Sequence, residues 1–150
     1  MKKYTLEDME NFEWDNYGRL ICPSGDYTEI SRFGAGCSFG EGCSFGERCS
    51  FGGWCSFGER CSFGAGCSCE NGRVFKAIVS FEGAGRERRK TYCFLLEDDT
   101  IFVRCGCFSG TESEFIEKVH KTHAGTPHED VYLSFFDAAK KALQVIAKGR

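Results

Sequence analysis

FGAGCSFGEGCSFGERCSFGGWCSFGERCSFGAGCS, Phe33 to Ser68, is one hexapeptide written six times. Every copy has the form FGxxCS, with Phe at 33, 39, 45, 51, 57 and 63. Read as C-S-F-G-x-x, each copy is a three-residue strand followed by a turn. Side chains alternate along a strand, so Cys and Phe share one face and Ser takes the other. The Gly after each Phe is expected to supply the backbone freedom of a sharp corner. Three corners close a triangle, which makes 18 residues per layer and stacks layers at the spacing of paired strands, about 4.8 Å.

That register predicts vertical neighbours: Phe33 with Phe51, Phe39 with Phe57 and Phe45 with Phe63. Cys37 should meet Cys55, Cys43 should meet Cys61, and Cys49 should meet Cys67. Burying each Phe is worth roughly 1.5–3 kcal/mol before chain entropy is charged. Weaker copies precede the array: ICPSGD from Ile21 and YTEISR from Tyr27 put a large apolar residue first and a small one fifth. The spacing resembles the hexapeptide motif of left-handed parallel β-helix proteins, with Phe where those carry Ile, Leu or Val. Left-handedness is implied by that resemblance alone, since ordinary crossovers are right-handed. The expected fold is a β-solenoid, a short triangular parallel β-helix, followed by a C-terminal α+β module.

The flanks divide accordingly: 1–20 as a capping helix and lead-in, 21–72 as the β-helix, and 73–150 as the α+β module. Residues 5–14 read as a helix that caps the first layer, opened by Thr5 and Asp8 as a capping box. Arg73 to Phe81, Lys90 to Leu96 and Thr100 to Cys107 read as strands, with Glu97-Asp98-Asp99 as a charged turn. Thr111 and Glu114 announce a helix to about Thr122. Thr126, Pro127 and Glu129 announce another to about Lys148, with Val131, Phe135, Leu143 and Ile146 on its apolar stripe.

Composition narrows the function. A formal net charge of -3 gives no field to attract nucleic acid, and no stretch reaches the roughly 20 apolar residues of a membrane span. The polar, acidic stretch from Met1 to Glu10 does not read as an export signal, so a cytoplasmic location is expected. Eleven cysteines are odd in number, and six lie at perfect six-residue spacing. They read as reduced thiols filling small slots, not as a disulfide framework.

The candidate chemistry is sparse. Cys105 and Cys107, placed two apart on a strand, with His120 and His123 three apart on a helix, form a set suited to tetrahedral zinc. CxC is a weaker signal than CxxC, and structural cysteines beside exposed histidines is the plainer reading, so no cofactor is expected. Proteins resembling left-handed β-helix acyltransferases use a His near the coils; here all three His (120, 123 and 128) lie outside the array. No Walker loop, dinucleotide fingerprint or nucleophile elbow occurs. Outward turn residues Arg48, Trp54 and Arg60 form a rim of charge with an aromatic, the pairing favoured at binding hot spots. With the basic run Arg86, Arg88, Arg89 and Lys90 they make up the expected ligand-binding set.

WDNYGRLICPSGDYTEISRFG (Trp14 to Gly34), the FGxxCS array and RCGCFSGTESEF (Arg104 to Phe115) together resemble small proteins of tailed phages and prophages. That resemblance implies a setting in which small accessory proteins bind a host protein or signalling nucleotide and blunt defence. The expectation is a non-catalytic binding protein with a small-molecule or host-protein partner, assembled as a homo-oligomer with a trimer favoured. An acyltransferase-like enzyme and a virion structural protein are the alternatives.

Overall fold

The computed structural model describes residues 1–84, 90–106 and 108–148. The chain forms two compact units, Met1–Val74 and Phe75–Arg150. Among the described residues, no helix is long and apolar enough to cross a membrane.

The first unit opens on helix α1 (Leu6–Glu10), whose Thr5–Asp8 capping box is present with the Asp in the usual Glu or Gln place. The helix is shorter than the 5–14 expected, because Trp14 pairs with Leu20 as an antiparallel bridge instead. Eight short strands follow: β1 (Leu20–Cys22), β2 (Arg32–Phe33), β3 (Cys37–Phe39), β4 (Ser44–Phe45), β5 (Ser50–Phe51), β6 (Ser56–Phe57), β7 (Ser62–Phe63) and β8 (Ser68–Cys69). All pair in parallel within three stacks: β1-β3-β6, β2-β5-β8 and β4-β7. Phe33 pairs with Phe51, Phe39 with Phe57 and Phe45 with Phe63, the 18-residue offset read from the repeat.

The Phe rings show how three bulky side chains fit one layer. Phe33, Phe39 and Phe45 meet edge to face, 4.8 to 5.5 Å between centroids, an arrangement the ring quadrupole favours. Each then stacks on its partner 18 residues on, at 5.1 to 5.6 Å with planes within 12°. Tyr27 continues the Phe45 column at 5.9 Å, Tyr4 stacks on Tyr27 at 5.2 Å, and Phe12 meets Tyr4 edge-on. The N-terminal segment thus closes the aromatic column, and the buried Tyr27 hydroxyl donates to the Pro23 carbonyl at 2.6 Å.

The early, weaker copies depart from the expected frame. Cys22, not Ile21, pairs with Phe39 and is buried, while Ile21 pairs with Ser38 and is exposed. The layer is one residue short there, so the alternation shifts by one and reverses which side chains point inward. In YTEISR the first-position Tyr27 is buried and Ile30 is buried with it, while the fifth-position Ser31 is exposed.

The invariant glycine has a different job from the one expected. Gly40, Gly46, Gly52, Gly58 and Gly64 lie outside the left-handed region, and a Cβ on any of them would fall 2.5 to 2.7 Å from an atom of the layer above. They are glycines because two layers touch there. The corner belongs to the fourth position, where Gly36, Gly42, Arg48, Trp54, Arg60 and Gly66 all take φ between 57° and 78°.

The second unit is an antiparallel sheet with two helices. Strand β9 (Arg73–Phe81) starts in the first unit, where Arg73 and Val74 pair with β8, and its later residues pair with β10 (Thr91–Leu96). Next come β11 (Ile101–Cys105) and β12 (Phe108–Thr111). The acidic turn forms as read: the Asp98 carboxylate accepts from the Thr100 amide and hydroxyl, and Asp99 pairs with Lys76. The single strand expected over Thr100 to Cys107 is instead a strand ending at Cys105 and a hairpin. Gly106 has φ 56°, and Cys105 pairs across the turn with Phe108.

Helices α2 (Glu112–His123) and α3 (Pro127–Lys148) cover the sheet face carrying Ala77, Cys93, Leu95, Ile101 and Val103. The Thr111–Glu114 capping box forms as expected. The Thr126 hydroxyl, however, donates back to the His123 carbonyl at 2.7 Å, so it does not cap α3 in the expected way. The buried stripe of α3 is Tyr132, Phe136, Ala139 and Leu143, one position on from Val131 and Phe135. The other sheet face carries Phe75, Tyr92, Phe94, Phe102 and Arg104, all buried, with the Arg104 guanidinium 4.8 Å from the Tyr92 ring centre.

Candidate ligand-binding site

Strain points to the site. A left-handed backbone costs an L-residue about 1–2 kcal/mol, and three of the six corners avoid that cost by using Gly. Arg48, Trp54 and Arg60 accept it, and strain of this kind concentrates where side chains have work to do. Consecutive hexads carry these residues to three different stacks, just ahead of β5, β6 and β7. No single wall presents all three, which corrects the expected common rim.

Their surroundings differ. Arg60 pairs with Glu41 at 3.1 Å, both well exposed, a cross-layer ion pair worth little in water. The Arg48 amide donates to the Ala65 carbonyl at 2.8 Å, and its stem lies beside Gly66. Trp54 is 56% exposed and forms one wall of a cleft of about 350 Å³ with Tyr17, Gly18, Arg19, Ala35 and Gly36.

The other wall is a loop built by one carboxylate. Asp15 Oδ1 accepts from the amides of Tyr17 at 2.8 Å and Arg19 at 2.9 Å, and the Asp15 amide donates to the Arg19 carbonyl. Gly18, at φ 77°, lets the chain turn back tightly. The loop is seated on the array: the Leu20 amide donates to Gly36, whose own amide donates to Gly53, next to Trp54. Tyr17 is left 86% exposed on a fixed backbone, and among the described residues Arg19 is the one charged residue lining the cleft. A rigid indole, a phenol and a guanidinium with no carboxylate among them suit a flat molecule with negative charge.

Sequence reasoning found Trp54 and missed Tyr17 and Arg19. The signal was available in DNYGR, where an Asp followed three residues later by Gly marks a side-chain-stabilised turn. Of the basic run, Lys90 lies with its ammonium 5.4 Å from the Tyr92 ring centre, while Arg86, Arg88 and Arg89 lie outside the described residues.

The expected zinc set is only partly brought together. Cys105 and His123 line a second cleft with Tyr132, whereas His120 Nδ1 is 3.0 Å from the Glu129 carboxylate and does not line it. Cys107 lies outside the described residues, and the strand that was to give both thiols one face ends at Cys105. Among the described residues no group of three or more His, Cys, Asp or Glu converges as metal ligands.

The thiols of the array are held protonated. Cys37, Cys43, Cys49 and Cys67 donate to glycine carbonyls at 3.2 to 3.4 Å. Ionisation would set a negative charge against those oxygens. The side-chain hydrogen bond with Cys22, followed by burial, pushes Cys37 up to about 12 against the opposing effect of Cys55, and burial pushes Cys49 up to about 11. Such thiols are structural and unreactive.

No family model, curated protein or solved structure matches this chain.

Proposed function

We propose that the protein is a non-catalytic binding protein that captures a flat, anionic small molecule in the Tyr17–Arg19–Trp54 cleft. The observation that carries this reading is Trp54: a large aromatic kept half exposed in a strained backbone conformation that sibling repeats relieve with Gly. Trp54 and Tyr17 offer ring faces for stacking, worth about 1–3 kcal/mol per base in comparable platforms. Arg19 supplies the positive charge. A nucleotide is the chemical class that combines both features, in keeping with the phage-type setting implied by the resemblance.

The scaffold in this reading is a short triangular parallel β-helix over 21–72, left-handed by resemblance, with the α+β module after it. The 18-residue registers and three stacks support that description. The same reading takes the chain as a homo-oligomer, a trimer, because fewer than three layers leave much surface for little core. Native mass spectrometry reads that mass directly, and a monomer refutes the oligomer alone.

Calorimetric titration with purine nucleotides, cyclic dinucleotides and ring-free sugar phosphates tests the capture. Ring-bearing anions should bind, and ring-free anions should not. Trp54→Gly should weaken binding at least tenfold while leaving the fold at least as stable. Equal binding by Trp54→Gly, or no binding by any ring-bearing anion, overturns the proposal.

A further inference from the structure

Helix α3 carries two apolar stripes where one core needs one. Tyr132, Phe136, Ala139 and Leu143 face the core of the second unit. A second stripe, Val131, Phe135, Ala138, Ala142 and Val145, recurs at alternating spacings of four and three residues. That rhythm is the one by which two helices pack on each other, and it keeps the five within an arc of about 80°. Val131 and Ala142 are half-buried, while Phe135, Ala138 and Val145 are exposed. Phe135 is 40% and Val145 71% exposed, and among the described residues they are the large apolar side chains that the second unit leaves open. Phe81 of β9 braces the Phe135 ring at 5.5 Å between centroids, so the stripe has a fixed shape.

The flank of this stripe carries charge with a direction. Asp130 and Asp137 precede its middle, Lys141 and Lys148 follow it, and all four are exposed on one side of the helix. A parallel copy of α3 would set Asp against Asp and Lys against Lys. An antiparallel copy sets Asp130 against Lys148 and Asp137 against Lys141, about a twofold axis that passes close to Ala138. The same axis sets Val131 against Val145, and the Phe135 ring against the small Ala142. Charge and shape thus select one crossing point independently, and the small Ala138 there lets the two backbones approach. Asp137 and Lys141 already pair within the helix at 3.1 Å, but both are well exposed, so exchanging that contact for one between copies costs little.

We propose that α3 is an interaction surface for a second copy of this chain, pairing antiparallel through its outer apolar stripe with Asp–Lys pairs at the rim. The contact is isologous, the arrangement that closes on itself as a twofold pair. It lies outside the repeat array, so it doubles whatever the array assembles: one chain becomes a dimer and a trimer becomes a hexamer.

The test is sedimentation equilibrium of the full chain over a range of concentrations, with far-UV circular dichroism to confirm the fold. The wild-type chain should show an even number of copies. Ala138→Glu, at an exposed position, sets two like charges together at the axis and should halve the mass with the helical signal kept. Asp137→Lys should weaken the pairing several-fold, and adding Lys141→Asp should restore it, because the exchanged charges again meet across the antiparallel contact. A monomeric or odd-numbered wild-type assembly overturns the proposal and leaves the face to a different protein. So does an Ala138→Glu mass equal to wild type, or a double variant that pairs no better than Asp137→Lys alone.

Discussion

Gly34 and Gly58 hold the same place in the same hexapeptide, yet alanine should act on them in opposite directions. At Gly58 a Cβ would lie 2.5 Å from the Glu41 amide nitrogen and 2.7 Å from both Glu41 Cα and Gly40 C. Ordinary contact begins near 3.4 Å, so the deepest overlap is about 0.9 Å, and every neighbour is backbone. Relief requires the layers to part, against the Gly58–Phe39 hydrogen bond of 2.9 Å. Overpacking costs about 1–3 kcal/mol and a weakened backbone hydrogen bond about 1 kcal/mol. The reduced freedom of the unfolded chain returns about 0.4–1 kcal/mol, leaving a net loss of about 1–3.5 kcal/mol. At Gly34 nothing lies within 4 Å and φ is not left-handed, so only the gain of about 0.4–1 kcal/mol remains. Urea unfolding followed by tryptophan fluorescence is suited to this comparison, because Trp14 and Trp54 both lie in the first unit. Gly34→Ala should raise the midpoint and Gly58→Ala should lower it. Shifts of the same sign and size would refute the claim that contact between layers fixes this glycine.

Two more outcomes follow from the array. At the fourth position, where strain is in the backbone alone, Arg48→Gly should stabilise by about 1 kcal/mol and Gly42→Ala should destabilise by about 1–2 kcal/mol, read from the same unfolding curves. The buried thiols set the alkaline limit: Cys37, Cys43, Cys49 and Cys67 are all raised when folded, so their contribution is complete below the free-thiol value of about 8.5 and is lost as pH climbs above it, through about 11 for Cys49 and about 12 for Cys37. Four such groups lower stability by about 5 kcal/mol per pH unit once the unfolded chain titrates them all, so unfolding midpoints that stay flat from pH 8 to pH 10 would refute the burial of these thiols as drawn.

Much of the first unit was legible because its signal is redundant. Six copies of one unit average out local ambiguity, so the 18-residue register and the Phe columns follow from spacing alone. Where the copies weaken, at Ile21 to Arg32, a one-residue slip put Cys22 inward in place of Ile21, and pattern matching had no second copy to correct it. In the second unit the Thr111–Glu114 capping box marked the start of α2 well, because it is a local hydrogen-bond device. The turn at Gly106 was hidden because one short run of strand-forming residues reads the same whether it is one strand or two. The candidate site was half legible. Trp54 is conspicuous as a break in a repeat, whereas Tyr17 and Arg19 become partners only once the Asp15 turn is seated on Gly36.

A repeat looks as though one constraint had been copied six times, but its constant positions have separate causes. Phe is fixed by the ring packing of each layer, the second-position Gly by contact between layers, and Cys by a small buried slot facing a carbonyl. The glycine constraint comes from a neighbouring layer, which is why the first glycine, Gly34, meets nothing and the rest are crowded. The fourth position is different, since its constraint is the φ of its own backbone and Gly satisfies it most cheaply. A departure there must be explained by what the side chain does. Arg60 has its explanation in Glu41, on the surface and of little energetic consequence. Trp54 has no such partner in an ion pair; it has an open cleft, a second exposed ring and a guanidinium. Trp54 is therefore the departure whose surroundings suit the proposed ligand, and removing that indole while relieving its backbone separates binding from folding in a single substitution.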